Sequence, residues 1–263
     1  MNSEKVALYI VNWLKDYATK ANVKGFVVGV SGGIDSAVTS TLCAKTGLPT
    51  ICVEMPIHQD ANQVTRAQDH ISQLKNKYPN VSDVRVDLTE SFEQFLTAFS
   101  PTETSPIKDL TLANTRARLR MTTLYYIAGL NSSLVAGTGN KVEDFGVGFY
   151  TKYGDGGVDI SPIADLVKSE VFALGKVLGV PESIQNAAPT DGLFGDSRTD
   201  EDQIGASYDE LEIAMTQTEQ GINIDDLSGR SKEVFSIYSR LNRNNQHKMN
   251  PIPVCEISKD LKS

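Results

Sequence analysis

Cysteine is scarce in this sequence, and its pattern excludes two common uses. Cys43, Cys52 and Cys255 form neither a CxxC pair nor a cysteine–histidine arrangement. An odd number of cysteines without such spacing argues against a disulfide framework and against a zinc site. We therefore expect three buried, reduced thiols in a reducing compartment.

Positive charge is also in short supply. The chain has 25 lysine and arginine residues against 33 aspartate and glutamate residues, which gives a formal net charge of −8. A protein that coats nucleic acid needs the opposite sign, so we expect no nucleic-acid partner. A polyanionic ligand would have to be met by a few cations gathered in one place.

Long hydrophobic runs are missing as well. No stretch reaches the roughly 20 apolar residues that a membrane-spanning helix needs, and the first 20 residues lack the apolar core of a signal peptide. We find no internal repeat or low-complexity tract. Because the sequence shows neither a membrane-spanning run nor a signal peptide, we expect a cytoplasmic protein without a membrane segment. The simplest organisation is a single domain over residues 1–263 with a helical C-terminal part.

The sequence does contain short apolar runs that alternate with helical patterns. This order predicts a parallel sheet with helices on both faces and ligands at the carboxyl ends of its strands. Strands are predicted at 24–30, 50–55, 81–86 and 133–137. Helices are predicted at 4–20, 37–45, 60–77, 91–99, 110–129, 165–179, 202–215 and 231–241. The segments 146–159 and 188–200 are predicted as loops, and 242–251 is predicted as a basic turn.

The segment SGGIDS, residues 31–36, stands between the first predicted strand and a helix. Two adjacent glycines allow a tight turn whose N–H groups converge on one point, and the helix start adds its positive dipole end. The loop is neither a Walker loop nor a GxGxxG fingerprint. Asp35 would repel a phosphate unless a cation lay between them, and Mg²⁺ meets that need. The alternative is a glycine turn in which Asp35 is a plain helix cap.

This loop resembles the pyrophosphate-binding loop of the ATP-pyrophosphatases, which cleave ATP between its α- and β-phosphates. By itself it leaves GMP synthetase, asparagine synthetase and tRNA-thiolating enzymes open. Further segments, in order and spacing, resemble the family of ammonia-dependent NAD⁺ synthetases. They are NTRARLRM (114–121), AGTGNKVE (136–143), FYTKYGDGGVDISPI (149–163), APT (188–190) and QHKMNP (246–251).

The resemblance implies an ATP site and a metal site. The ATP-binding residues would be Gly29, Val30, Ser31, Gly32, Gly33, Ile34, Asp35, Ser36, Thr138, Lys168 and Thr190. Asp35 and Glu143 would share Mg²⁺, although Glu143 could also be a solvated residue on a turn. Lys168 lies in a first helical turn, where the dipole disfavours a cation, so we expect a phosphate partner for it unless it is a free surface lysine. After Thr138 many relatives carry Asp-His, whereas this chain has Gly139 and Asn140.

The same resemblance implies a second substrate, deamido-NAD⁺. Its binding residues would be Arg118, Lys152, Asp159, His247 and Lys248. All of these except Asp159 would supply a local positive potential, which the net negative charge of the chain does not provide. Arg118 lies on the predicted helix 110–129, which is apolar on both sides and is therefore either a central core helix or part of a subunit interface. The family is dimeric with a shared substrate site, which favours a homodimer.

The implied fold is Rossmann-like: a doubly wound, mostly parallel, five-stranded sheet with helices on both faces. The implied reaction adenylates the nicotinate carboxylate of deamido-NAD⁺ with ATP, and ammonia then displaces AMP to give NAD⁺. Lys168 is the main catalytic candidate and Asp155, within TKYGDGG, a weaker one. No glutaminase domain is expected, because no cysteine lies in a recognisable glutaminase motif. The alternatives are another ATP-pyrophosphatase, such as a tRNA-modifying enzyme, or an ATP-binding sensor without turnover.

Overall fold

The central element is a four-stranded parallel sheet, seen in a computed structural model that describes residues 1–99, 107–190 and 199–262. Its strands are β1 (Gly25–Gly29), β2 (Thr50–Glu54), β3 (Val81–Arg85) and β4 (Ser133–Val135). They lie in the order β3-β2-β1-β4. The chain steps outward from β1 to β3 and then places β4 on the other side of β1. Ligands of such sheets bind where the winding reverses, here between the carboxyl ends of β1 and β4.

The expected doubly wound α/β fold is confirmed, but the expectation of five strands is wrong for the described residues. Beyond β4 the chain makes one isolated parallel bridge, between Ala136 and Ile160. The Gly137 N–H donates to the Ile160 carbonyl at 2.7 Å. Pro162 follows two residues later and has no N–H to continue a ladder, so the pairing stops there.

Helices cover both faces of the sheet. One face carries α1 (Ser3–Lys20), α2 (Ile34–Lys45), α3 (Ala61–Lys77) and α6 (Lys168–Leu178), and the other carries α4 (Thr89–Thr97) and α5 (Lys108–Asn131). Side chains of a strand alternate between faces. Phe26 and Val28 of β1 therefore pack under α1, α2 and α6, while Val27 packs under α4 and α5. A run buried on both faces is what a central parallel strand requires.

A helical C-terminal part packs beside a π-helical turn at Val142–Val147, which follows β4. Its helices are α8 (Asp200–Ile204), α9 (Tyr208–Glu219) and α10 (Gly229–Met249). The short helix α7 (Glu182–Gln185) precedes them and packs against α2 and α6 instead. Short 3₁₀ turns lie at Ile224–Asp226 and Lys259–Leu261. Of the predicted loop 188–200, residues 191–198 lie outside the described residues.

Two predictions for this part are wrong. The predicted helix 202–215 is two helices, because Gly205 adopts a left-handed conformation that ends α8. The predicted turn 242–251 is helical as far as Met249. The side chains of Asn242 and Asn245 donate to the carbonyls of Gly146 and Val147 at 2.7 and 2.8 Å, so tertiary contacts offset the low helix propensity of asparagine.

Burial corrects two further expectations. Cys43 and Cys52 are buried as predicted, but Cys255 is exposed in the C-terminal tail. Helix α5 is not buried all round in the single chain, since Tyr126 and Leu130 are 69% and 70% exposed. Within the three described ranges, no helix has the length and apolar character needed to cross a membrane.

Candidate active site

The loop between β1 and α2 holds its own shape through short-range hydrogen bonds. The Ser36 hydroxyl donates to the Gly33 carbonyl at 3.0 Å and accepts from the Ser31 N–H at 3.2 Å. Gly32 has a φ of +85°, and a β-carbon there would lie 2.5 Å from the Gln63 carbonyl of α3. Glycine is required because the turn is left-handed and α3 packs directly against it. The loop is preformed at the start of α2, as an anion cradle should be.

Two adjoining cavities lie at the carboxyl ends of β1 and β4. The first has a volume of about 210 Å³ and is bounded largely by small and apolar side chains of β1, β2, α3 and α5. The second, of about 150 Å³, is bounded by residues 31–36, by Glu143 and Lys168, and by the segment that ends at Thr190. Thr138 and Asp155 border both. All the predicted ATP-binding residues border one or both cavities.

Lys168 is a buried cation held between two carboxylates. Its Nζ lies 2.6 Å from Asp35 Oδ2 and 3.0 Å from Glu143 Oε1, and its side chain is 4% exposed. The alternative of a free surface lysine is therefore wrong. Burial alone would lower the pKa of Lys168, but the two carboxylates raise it above its ordinary value. The lysine stays protonated, so a positive charge stands directly beside the loop.

Asn140 and Tyr208 orient these carboxylates. Asn140 Nδ2 donates to Asp35 Oδ1 at 3.1 Å, and its Oδ1 accepts from the N–H groups of Val142 and Glu143. The Tyr208 hydroxyl donates to Glu143 Oε1 at 2.5 Å, and the Lys168 Nζ lies 4.7 Å from the centre of the Tyr208 ring. Burial, followed by the nearby carboxylates, raises the pKa of Tyr208. It therefore remains a hydrogen-bond donor at neutral pH.

Acidic groups outnumber cations around the second cavity. Its described lining contains five carboxylates, those of Asp35, Glu143, Asp144, Asp155 and Asp200, and two cations, Arg66 and Lys168. Burial, and after it the charges of Glu143, Asp155 and Asp35, raise the pKa of Asp144 to about 8. A triphosphate can enter such a cavity only together with further positive charge.

The donor set fits Mg²⁺. Among the described residues, no three histidine, cysteine, aspartate or glutamate side chains form a metal-binding group. Mg²⁺ does not need one, because it binds through one or two carboxylates together with phosphate oxygens and water. Asp35 and Glu143 could supply those two carboxylates, and the excess of negative charge around the cavity would favour a bound cation.

The residues predicted to bind a second substrate lie mostly at another place. Arg118 Nε donates to the Lys152 carbonyl at 3.3 Å, and Lys152 Nζ donates to the His247 carbonyl. Lys248 Nζ donates to the carbonyls of Gly148 and Tyr150, at 2.8 Å each. The last turn of α10 is thus joined to the 148–152 segment and to α5, and three cationic side chains and one histidine are gathered there.

Asp159 and Asp155 have different surroundings. Asp159 accepts from the Tyr125 hydroxyl at 3.0 Å and from the Val135 N–H at 2.8 Å, so it ties α5 to the end of β4. Asp155 accepts from the Thr151 N–H at 3.0 Å and lies where the two cavities meet. Of the two, only Asp155 borders the two cavities described above.

Sequence reasoning missed Arg66, Tyr208 and Asp144. Arg66 lies on α3, which reads as a polar surface helix, and Tyr208 is 65 residues from the glutamate that it contacts. No sequence motif indicates Asp144 as a site residue, and only its position next to Glu143 could have pointed to it. The sequence singles out Asn140 only as a departure from the family pattern. The structure shows that its side chain donates to Asp35 and so helps to orient that carboxylate.

Comparisons of the sequence and of the structure with known proteins both find NAD synthetases and related synthetases. A family model described as NAD synthase matches residues 6–252. An NH(3)-dependent NAD(+) synthetase of Mesoplasma florum is 43% identical over 209 residues, which cover 79% of this chain and 82% of that protein. The structure of an NMN synthetase from Francisella tularensis has a TM-score of 0.85 at 32% identity and covers 98% of this chain and 100% of that one. An NH3-dependent NAD synthetase from Campylobacter jejuni has a TM-score of 0.77 at 25% identity, with 97% and 100% coverage.

Proposed function

The chain belongs to the NAD synthase family and is a carbon–nitrogen ligase that makes NAD⁺ with ammonia, and we propose that it does so in two steps at the cavities described above. In the first step a carboxylate oxygen of the nicotinate group of deamido-NAD⁺ attacks the α-phosphorus of ATP, and pyrophosphate leaves. In the second, ammonia attacks the carbonyl carbon of the adenylate. The new C–N bond forms, the C–O bond to AMP breaks, and the nitrogen gives up a proton.

The placement of ATP follows from the two cavities. The first cavity is bordered by apolar side chains such as Val30, Met55 and Leu124, which suit a purine ring. The second is bordered by residues 31–36 and by the start of α2, whose positive dipole end suits the triphosphate. Thr138 borders both cavities, so the α-phosphate would lie near it.

The single observation that carries the proposal is the position of Lys168. A protonated amine buried between Asp35 and Glu143 can turn onto a phosphate oxygen, where it offsets the charge that develops as pyrophosphate leaves. Asp35 and Glu143 would then hold Mg²⁺. When bound, Mg²⁺ neutralises phosphate charge and polarises the phosphorus. No residue of the chain forms a covalent intermediate in this scheme.

The acceptor site is proposed at the cationic cluster of Arg118, Lys152, His247 and Lys248. These side chains would offset the phosphate charges of deamido-NAD⁺. Asp155 accepts from the N–H of Thr151, the neighbour of Lys152, and borders both cavities. Asp155 is the candidate that would orient ammonia or accept its proton. Thr190 borders the second cavity and would contact phosphate there.

We also propose that the protein is a homodimer that buries the outer side of α5. Tyr126 and Leu130 leave an exposed apolar surface on a helix that also carries Arg118. Sedimentation of wild type at micromolar concentration should give a dimer, and Leu130→Arg should give a monomer. Leu8→Arg, at a site on α1 that is 62% exposed, is the matched control and should leave the dimer intact. A wild-type monomer with full activity would contradict a shared site.

The activity test uses ATP, deamido-NAD⁺ and Mg²⁺ with either ammonium or ammonia-free glutamine. Ammonium should support formation of NAD⁺, AMP and pyrophosphate in equal amounts, and glutamine should not. Burial raises the pKa of Cys52 to about 12 and also raises that of Cys43, so neither thiol is a ready nucleophile. Equal rates with glutamine that are lost on alkylation of Cys255 would contradict this assignment. ATP binding without turnover would indicate a sensor instead.

A second candidate acceptor is nicotinate mononucleotide. The observation that favours it is the likeness to the Francisella tularensis NMN synthetase, whose TM-score exceeds that of the Campylobacter jejuni NAD synthetase. Both acceptors present the same nicotinate carboxylate, so the chemistry is unchanged. Measuring kcat/KM for the two acceptors in parallel decides between them. A higher kcat/KM for the mononucleotide would make it the preferred acceptor of this ligase, and a later adenylyl transfer would then convert the amidated mononucleotide into NAD⁺.

A further inference from the structure

Arg66 lies against the loop at residues 31–36, called the phosphate loop below, because α3 packs on that loop. A β-carbon at Gly32 would lie 2.5 Å from the Gln63 carbonyl and 3.2 Å from the Ala67 nitrogen, so one turn of α3 touches the glycine. Arg66 stands within this turn. Its Nε donates to the Gly32 carbonyl at 3.3 Å. The side chain is half-buried and borders the second cavity.

The charge balance of the second cavity singles out this arginine. Of the described residues that border the cavity, only Arg66 and Lys168 are cations. Lys168 is engaged by Asp35 and Glu143. No ion pair in the described part of the chain involves Arg66, and its one hydrogen bond there uses Nε. Its two terminal nitrogens therefore remain available to an incoming anion.

We propose that Arg66 binds the β- and γ-phosphates of ATP and holds the pyrophosphate as it leaves. This inference rests on the proposed use of the cavity for ATP and extends it to a residue outside the recognised motifs. An arginine presents its donors as a planar fork that matches two phosphate oxygens, which a lysine does not. Arg66 and Lys168 would then supply cationic contacts from two different helices, α3 and α6.

Such a placement has a chemical consequence. Negative charge accumulates on the bridging oxygen and on the β- and γ-phosphates as the α-phosphorus is attacked, and a cation at that end stabilises the leaving group. AMP contains neither of these phosphates. Arg66 should thus act on ATP and on pyrophosphate but not on AMP.

The test measures binding by titration calorimetry at fixed Mg²⁺, with ATP, pyrophosphate and AMP as separate ligands. Arg66→Gln should weaken ATP and pyrophosphate by about ten- to a hundredfold, the usual effect of losing charged hydrogen bonds, and leave AMP unchanged. Arg66→Lys should recover part of the loss. Lys77→Gln removes one charge from the exposed far end of the same helix and should alter none of the three affinities.

Each other outcome overturns the inference. Unchanged pyrophosphate affinity in Arg66→Gln would show that the arginine does not contact the phosphates. Equal weakening of AMP and pyrophosphate would show that it only shapes the loop through Gly32, and a melting curve would show whether the fold is intact. If the wild-type protein does not bind ATP, the proposed function itself is contradicted. If the wild-type protein binds ATP and the Arg66→Gln variant binds ATP and pyrophosphate with the same affinities, only this inference is contradicted.

Discussion

The Asp144 carboxylate fills the space that a side chain at Gly139 would occupy. A β-carbon at position 139 would lie 2.2 Å from both Asp144 carboxylate oxygens. The two positions are therefore coupled sterically, and the glycine after Thr138 is explained by the acid that follows Glu143. That acid belongs to the same group of carboxylates that borders the phosphate loop.

Gly139→Ala should lower the free energy of unfolding by about 1–3 kcal/mol, because the added methyl group overpacks a filled site. In an Asp144→Ala background the same change should cost almost nothing, which gives a coupling energy of at least about 1 kcal/mol. Urea denaturation of the four proteins measures the cycle. Gly129→Ala, at a helical glycine with open space around its Cα, is the control and should be neutral or stabilising. Additive effects at 139 and 144 would contradict the coupling.

Asp35→Asn and Glu143→Gln should each reduce turnover at least about a hundredfold, because each removes a proposed ligand for Mg²⁺ and a partner of Lys168. Raising the Mg²⁺ concentration should recover part of the rate. Initial rates over a Mg²⁺ titration measure both effects, with Glu4→Gln on the outer side of α1 as the control. Near-normal rates in both variants would show that the metal assignment is wrong.

Tyr208→Phe should raise the Mg²⁺ concentration that gives half-maximal rate by about tenfold. The change removes the hydroxyl that donates to Glu143 but keeps the ring beneath Lys168. Tyr238→Phe removes a hydroxyl from the same C-terminal helical cluster, where the nearby carboxylate is that of Glu219, not Glu143, and should leave the Mg²⁺ dependence unchanged. If Tyr208→Phe lowers kcat with no change in Mg²⁺ dependence, the tyrosine does not act through Glu143.

His70 should make stability depend on pH in a defined window. Its Nε2 lies 2.9 Å from the Ser40 hydroxyl, its Nδ1 is buried without a hydrogen-bond partner in the described structure, and burial lowers its pKa to about 4. The unfolded chain binds a proton at an ordinary pKa near 6.5. Between pH 6.5 and pH 4 the unfolded state thus carries more protons, and stability falls as the pH falls.

The expected slope is about 1.4 kcal/mol per pH unit, with a total loss of about 3 kcal/mol from this group. His70→Gln keeps a donor toward Ser40 and cannot titrate. Subtracting its unfolding free energies from those of wild type, at intervals from pH 7.5 to pH 4.5, isolates the histidine from the carboxylates. Parallel curves for the two proteins would exclude the effect.

Helix and strand order were predictable because they depend on local patterns. Apolar runs such as 24–30 and the helical period around Lys168 depend on neighbours a few residues away. The failures have tertiary causes. The chain after β4 pairs only briefly because Pro162 intervenes, and 242–249 is helical because its asparagines bond to the π-helical turn.

By itself the sequence determined the alternating α/β order, the glycine turn at 31–36 and the family, since each depends on residue types in a contiguous stretch or in a fixed order. Only the tertiary structure decided which groups meet. Lys168 contacts a carboxylate 133 residues away, and Arg66 reaches a loop 34 residues away. Such contacts depend on where the sheet brings distant strand ends together and on which charges burial leaves to neutralise one another. No local pattern encodes either.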